Sequence, residues 1–240
     1  WPAYMAEMGR LRALYGDRLD ILAGVELDGV YDPACAPGAE YTIGSTHFLP
    51  VDSPVPMSVD NSPRMLQELC RDYYGGDWLD LCRAYFELEA QVVERTSCTF
   101  VGHFDLVAKF NDELRFVDET DARYLGPALD AMEALVGEGV PLEINCGAVN
   151  RGLRRELYPR RELLCALRDF GGEIVISSDA HHAELIDGAF DVAVATSAAS
   201  PTRTSSSMTR WAMWSSGSSR LTRCRAWCRR CFRCLRVALP

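Results

Sequence analysis

Five short apolar runs each lead into a side chain of the kind that binds metal or phosphate. They are Ile21 to Glu26, Tyr41 to His47, Cys98 to His103, Pro141 to Asn145, and Glu173 to Ser178 followed by Asp179-Ala180-His181. One Glu, three His, one Asn and one Asp offer a mixture of oxygen and nitrogen donors that suits a divalent cation. Such donors act together only if they meet. In a barrel of parallel strands they do, because side chains at the C-terminal strand ends converge on one mouth.

Each of these residues also has a blander reading. Taken alone, His103 in Val101-Gly102-His103-Phe104 is more simply a satisfied core histidine, and the same holds for His47. The Gly before His103 allows close backbone approach. Glu26 is harder to dismiss, because an uncompensated carboxylate at the end of an apolar strand costs several kcal/mol. Asp179 and His181, two apart at a strand exit, point to one side; the alternative is a helix-capping Asp beside a surface His pair. His182 faces the other way. Asn145 either orients a ligand or ends its strand.

The elements that must carry these residues alternate. A helix at about 5–15 precedes a strand at 21–26, and a Pro/Gly-rich loop (31–39) precedes a strand ending Gly44 to Leu49. A Pro- and Asp-containing loop (50–63) is followed by helices near 64–74 and 77–95 and a strand at 98–103. Asp118 to Asp121 gives an acidic start to a helix near 121–137, as the helix dipole favours. A strand at 141–145, a helix at 160–170 and a strand at 173–178 complete the series. Such alternation with short connections predicts an α/β parallel sheet or barrel.

Bulk properties restrict function. With 240 residues and 48% apolar content the chain can bury a sizeable core. No apolar run approaches the roughly 20 residues of a membrane span, and no secretory signal is present. Trp1 to Leu11 reads as a fragment starting inside a fold. The net charge of -9 divides unevenly: nine of the 25 basic residues, all Arg, follow Thr196, where no acid occurs, leaving 16 basic against 34 acidic residues before it. An acidic body argues against a nucleic-acid groove. Six Cys (35, 70, 82, 98, 146 and 165) lie in the body with no disulfide framework and read as reduced core residues of a cytoplasmic protein.

Residues 196–240 are a different text, rich in Ser, Arg, Cys and Trp. The body uses Arg almost to the exclusion of Lys, as a GC-rich gene would. Out of frame, such a gene yields this tail composition, so the expected organisation is one partial domain at 1–195 and an aberrant, frameshifted tail at 196–240. Read as genuine, Cys224, Cys228, Cys231 and Cys234 would form a metal motif without His.

Five motifs in order, covering about 24–195, resemble the PHP (polymerase and histidinol phosphatase) family, and within it the monofunctional histidinol-phosphatases. They are Gly24-Val25-Glu26-Leu27-Asp28; Ile43-Gly44-Ser45-Thr46-His47-Phe48-Leu49; Val101-Gly102-His103-Phe104-Asp105-Leu106 with Lys109-Phe110-Asn111; Glu143-Ile144-Asn145 with Arg151-Gly152 and Tyr158-Pro159; and Ser177-Ser178-Asp179-Ala180-His181. The resemblance implies a distorted (β/α)7 TIM-like barrel, incomplete at its N-terminus, that holds up to three divalent ions (Mn, Zn or Fe). It implies hydrolysis of L-histidinol phosphate in histidine biosynthesis, with a small phosphorylated substrate and neither nucleic acid nor membrane as partner. Glu26 would bridge two metals, His47 and His103 would complete the second, Asp179 would serve the first and His181 the third, with Glu26 and Asp179 at the catalytic centre. Arg151 and Asn145 would bind substrate. Family members open with a His-x-His strand, whereas the four His here begin at His47. The chain is therefore expected to be impaired; the alternatives are another PHP phosphoesterase or an inactive metal-binding fragment.

Overall fold

The computed structural model describes residues 1–18 and 20–198. Five parallel strands form the central sheet: β1 (Gly24–Asp28), β2 (Tyr41–Ser45), β5 (Phe100–Val101), β6 (Leu142–Asn145) and β7 (Ile174–Ser177), lying side by side in that order. β3 (Phe48–Leu49) and β4 (Met57–Ser58) form a separate antiparallel ribbon inside what reads from sequence as one strand and one loop. The molecule is thus α/β with a parallel central sheet. Among the described residues β1 and β7 are its edges, so the sheet there is open.

Strand sequences explain the burial. Ile-Val-Ile-Ser in β7 and Leu-Glu-Ile-Asn in β6 are covered on both faces, as parallel strands between layers require. One face packs on the helices α2 (Pro63–Tyr73), α3 (Trp78–Glu89), α6 (Ala122–Gly137) and α8 (Arg161–Asp169), whose fully buried Leu66, Leu81, Phe86, Met132 and Leu163 build the main core. On the other face Tyr41 and Ile43 of β2 gather with Phe100 of β5 and Val175 of β7. This second cluster spans strands from β2 to β7, with Tyr41 stacked on Phe100.

Local signals set the helix ends. Ser62 caps α2 by accepting from the Met65 amide, and Asp77 caps α3 by accepting from Leu79 and Asp80. The helix expected over 77–95 is two: α3 stops at Glu89, and α4 (Val92–Thr96) ends on Ser97 in the left-handed region at φ 51°. The strand expected at 98–103 shrinks to Phe100–Val101, because Gly102 and His103 turn away to build the site. α1 (Pro2–Tyr15) packs Met8 on Ile21 and Ala23. Its Tyr4 hydroxyl donates to the Gly24 carbonyl (2.9 Å) and accepts from the Gly24 amide (3.2 Å), covering part of the exposed edge of β1.

Of the six body cysteines, Cys70, Cys82, Cys98 and Cys146 are buried as expected; Cys35 is exposed in a short 3₁₀ turn and Cys165 is half-buried, which corrects the core reading for those two. Beyond the short helices α5 (Asn111–Leu114) and α7 (Gly147–Asn150), the helix α9 (Phe190–Ala198) carries the start of the expected tail; the rest of 196–240, including its four Cys, lies outside the described residues. Among the described residues no helix is long and apolar enough to cross a membrane.

Candidate metal centre

Parallel order and register bring the strand ends to one level: Glu26 pairs with Ile43, and Asn145 with Ser177. Beyond those ends the chain turns at His47, His103 and Asp179. Glu26, His47 and His103 each present one ligand atom, all within 4.8 Å of one another. His103 Nε2 lies 2.9 Å and His47 Nε2 3.3 Å from the same oxygen, Glu26 Oε1. One carboxylate oxygen and two imidazole nitrogens facing a common point make a donor set that fits a divalent ion such as zinc.

Neighbouring polar groups hold the three in place. Ser45 Oγ donates to Glu26 Oε1 at 2.7 Å. Asp28, buried two residues after Glu26, accepts from the backbone amides of His47 and Phe48 and lies 3.4 Å from His47 Nδ1. Glu143, also buried, accepts from the His103 amide at 2.9 Å and from the Asn145 side chain at 3.0 Å. Sequence reasoning passed over both carboxylates as functional residues. The signal was present, because strand period two puts Asp28 on the face of Glu26, and Glu143 on that of Asn145.

The charges respond. Burial pushes the Glu26 carboxyl up, but hydrogen bonds from His103 and His47 outweigh it and hold the group well below the usual carboxylate range. Burial works against a charged His47, yet Asp28 and then Glu26 win and raise it to about 10. His103 is raised as well, Glu26 overcoming burial and the like charge of His47. The centre therefore holds protons where a cation would sit, and a metal must displace them.

Asp179 and His181 line a cleft of about 310 Å³ together with Glu26, His103, Glu143 and Asn145. They do not join the trio's tight cluster. Asp179 adopts φ 44°, a left-handed conformation that Asp tolerates better than most residues, and its amide donates to Ser177 Oγ. Gly147 makes room: a Cβ there would lie 2.4 Å from Asp179 Oδ2. Arg151 donates to the Asp179 carbonyl at 3.1 Å and to Asp179 Oδ2 at 3.3 Å, and lies 2.8 Å from His181 Nδ1. Both ends of the Asn145 amide are engaged, by Glu143 and by the Gly147 amide.

With this geometry in view, similarity to known proteins becomes informative. Over 187 residues the chain is 26% identical to a protein of Schizosaccharomyces pombe named probable histidinol-phosphatase, and over 189 residues 28% identical to one of the same name from Deinococcus radiodurans. Over about three-quarters of its length the chain is thus similar to proteins named probable histidinol-phosphatase. No family model matches it. The matched segments take in 74% and 75% of this chain but 59% and 65% of those histidinol-phosphatases, so the chain spans about three-fifths of their length. A solved Listeria monocytogenes structure, provisionally named a histidinol phosphatase, superposes with a TM-score of 0.69 at 21% identity, covering 80% of this chain and 75% of that one. At that identity the likeness speaks for the fold alone.

Proposed function

We propose that residues 1–195 form a metal-dependent phosphomonoesterase domain that hydrolyses L-histidinol phosphate to L-histidinol and phosphate in histidine biosynthesis. The observation that carries this reading is the convergence of Glu26, His47 and His103 within 4.8 Å at the mouth of a parallel sheet. The all-parallel central sheet and the apolar cluster that spans β2, β5 and β7 support the distorted (β/α)7 barrel of this type.

Glu26, His47 and His103 would hold one divalent ion (manganese, zinc or iron), and Asp179 and His181 would contribute to a further site. Bound, such ions neutralise phosphate oxygens, lower the pKa of a water and stabilise the leaving oxygen. The chain's own groups do the rest. Asp28 and Glu143 fix the two histidine loops, and Arg151 offers a planar fork that matches a phosphate once it leaves Asp179. Asn145, which lines the cleft and is held by Glu143 and the Gly147 amide, has a second amide N–H with which it would bind substrate.

The described residues supply one three-ligand set and one Asp–His pair, so slow turnover is expected. The test is phosphate release from L-histidinol phosphate by the 240-residue chain with manganese or zinc. Metal-dependent release well below the typical kcat of about 10 s⁻¹, abolished by Glu26→Ala, is the expected result. Release that needs no metal, or that survives Glu26→Ala, contradicts the reading.

A further inference from the structure

Glu89 on α3 is a buried carboxyl that the reaction outlined above leaves without a role. It has no solvent exposure, and neither of its oxygens is in hydrogen-bonding geometry with a partner. A residue kept only for packing has no reason to be an acid here, since burying an uncompensated carboxyl is costly and an apolar isostere would fill the space.

Its surroundings give the reason. Tyr85, one turn earlier on the same helix face, donates to the Phe104 carbonyl at 3.2 Å, which sets that face of α3 against the turn carrying His103. The Thr46 hydroxyl faces the carboxyl from just outside hydrogen-bonding geometry and is itself buried without a partner. Burial pushes the Glu89 carboxyl up to about 8, while Thr46 and the charges of His103 and His47 pull it down toward the ionised form and Asp28 opposes them. His103 directs Nε2 at Glu26, while its Nδ1 is buried and has no partner. Of the other carboxylates nearby, Asp28 is occupied by the His47 loop and Glu143 by the His103 amide and Asn145; Asp105 also has one unpartnered oxygen, but it accepts from the Arg160 amide and its charge is answered by Arg154.

We propose that Glu89 is a positioning residue for His103: its carboxylate accepts the Nδ1–H, with the Thr46 hydroxyl as third member, and so leaves Nε2 free to bind the cation. A metal-binding imidazole characteristically donates its other N–H to a carboxylate or carbonyl, which fixes ring and tautomer and strengthens the nitrogen that ligates. The acid accepts burial in exchange for this donor. The inference rests on the metal reading of the Glu26, His47 and His103 centre.

Zinc titration of the full chain against a chromophoric chelator, with the melting temperature of the metal-free protein, tests it. Glu89→Met is expected to weaken zinc binding by about 10–100-fold while the melting temperature stays level or rises. Glu89→Asp is expected to recover part of the affinity. Wild-type affinity in Glu89→Met, within twofold, overturns the inference and leaves the metal centre standing; a wild-type chain that binds no zinc overturns both. Should Glu89→Met fail to fold, the His103 ring of the zinc-loaded wild type decides: a downfield, slowly exchanging Nδ1–H resonance supports the proposal, and a rapidly exchanging one overturns it.

Discussion

At the scale of single residues, the centre is governed by which group holds a proton. The raised His47 has a definite consequence for stability. Its folded value of about 10 exceeds the roughly 6.5 of an unfolded histidine, so between these the folded chain binds the extra proton. The stabilisation is complete below about pH 6.5 and is lost as pH rises through 10. Melting of the metal-free chain in chelator should therefore fall over that window, and Asp28→Asn should flatten the slope, because Asp28 is the strongest support for the charged ring. Metal binding runs the other way, tightening as pH rises, since cation and proton compete for the same nitrogens. Asp28→Asn should also weaken metal binding by about 10–100-fold. Glu26, His47 and His103 were legible in sequence because each follows an apolar run. Glu89 was not, because an acid on a helix ordinarily faces water, and only the packing of Tyr85 on Phe104 reveals that this face points inward.

At the scale of elements, the glycine ahead of His103 ties packing to chemistry. A Cβ at Gly102 would lie 2.8 Å from Ser45 Oγ and 2.9 Å from Ile43 Cγ2, and that same Ser45 hydroxyl supports Glu26. Gly102→Ala should cost about 1–3 kcal/mol by overpacking and should weaken metal binding as well; chemical denaturation alongside zinc titration checks both. Close approach at this glycine was readable from Gly-His at a strand exit. Element boundaries were less so. Residues 77–95 carry a continuous helical pattern, yet Ala90 and Gln91 interrupt it so that α4 can turn back against β1 and β2. The ribbon of β3 and β4 depends on pairing between Phe48 and Ser58, a contact no local pattern announces.

At the scale of the whole molecule, the alternation of strand and helix text was enough to anticipate a parallel α/β sheet; of the five polar strand ends, Glu26, His103, Asn145 and Asp179 line one cleft, and His47 lies beside Glu26. What the sequence could not convey was how tightly they gather: Glu26, His47 and His103 meet, whereas Asp179 and His181 stay outside that cluster, held by Arg151. That grouping depends on side-chain hydrogen bonds between residues 19 to 77 positions apart. The tail's unusual composition belongs to residues beyond Ala198. Zinc titration of the full chain beside Glu26→Ala bears most directly on whether this cleft is a metal centre. Saturable binding by the wild type that disappears in Glu26→Ala is the predicted result; no binding, or equal binding by both proteins, would contradict it.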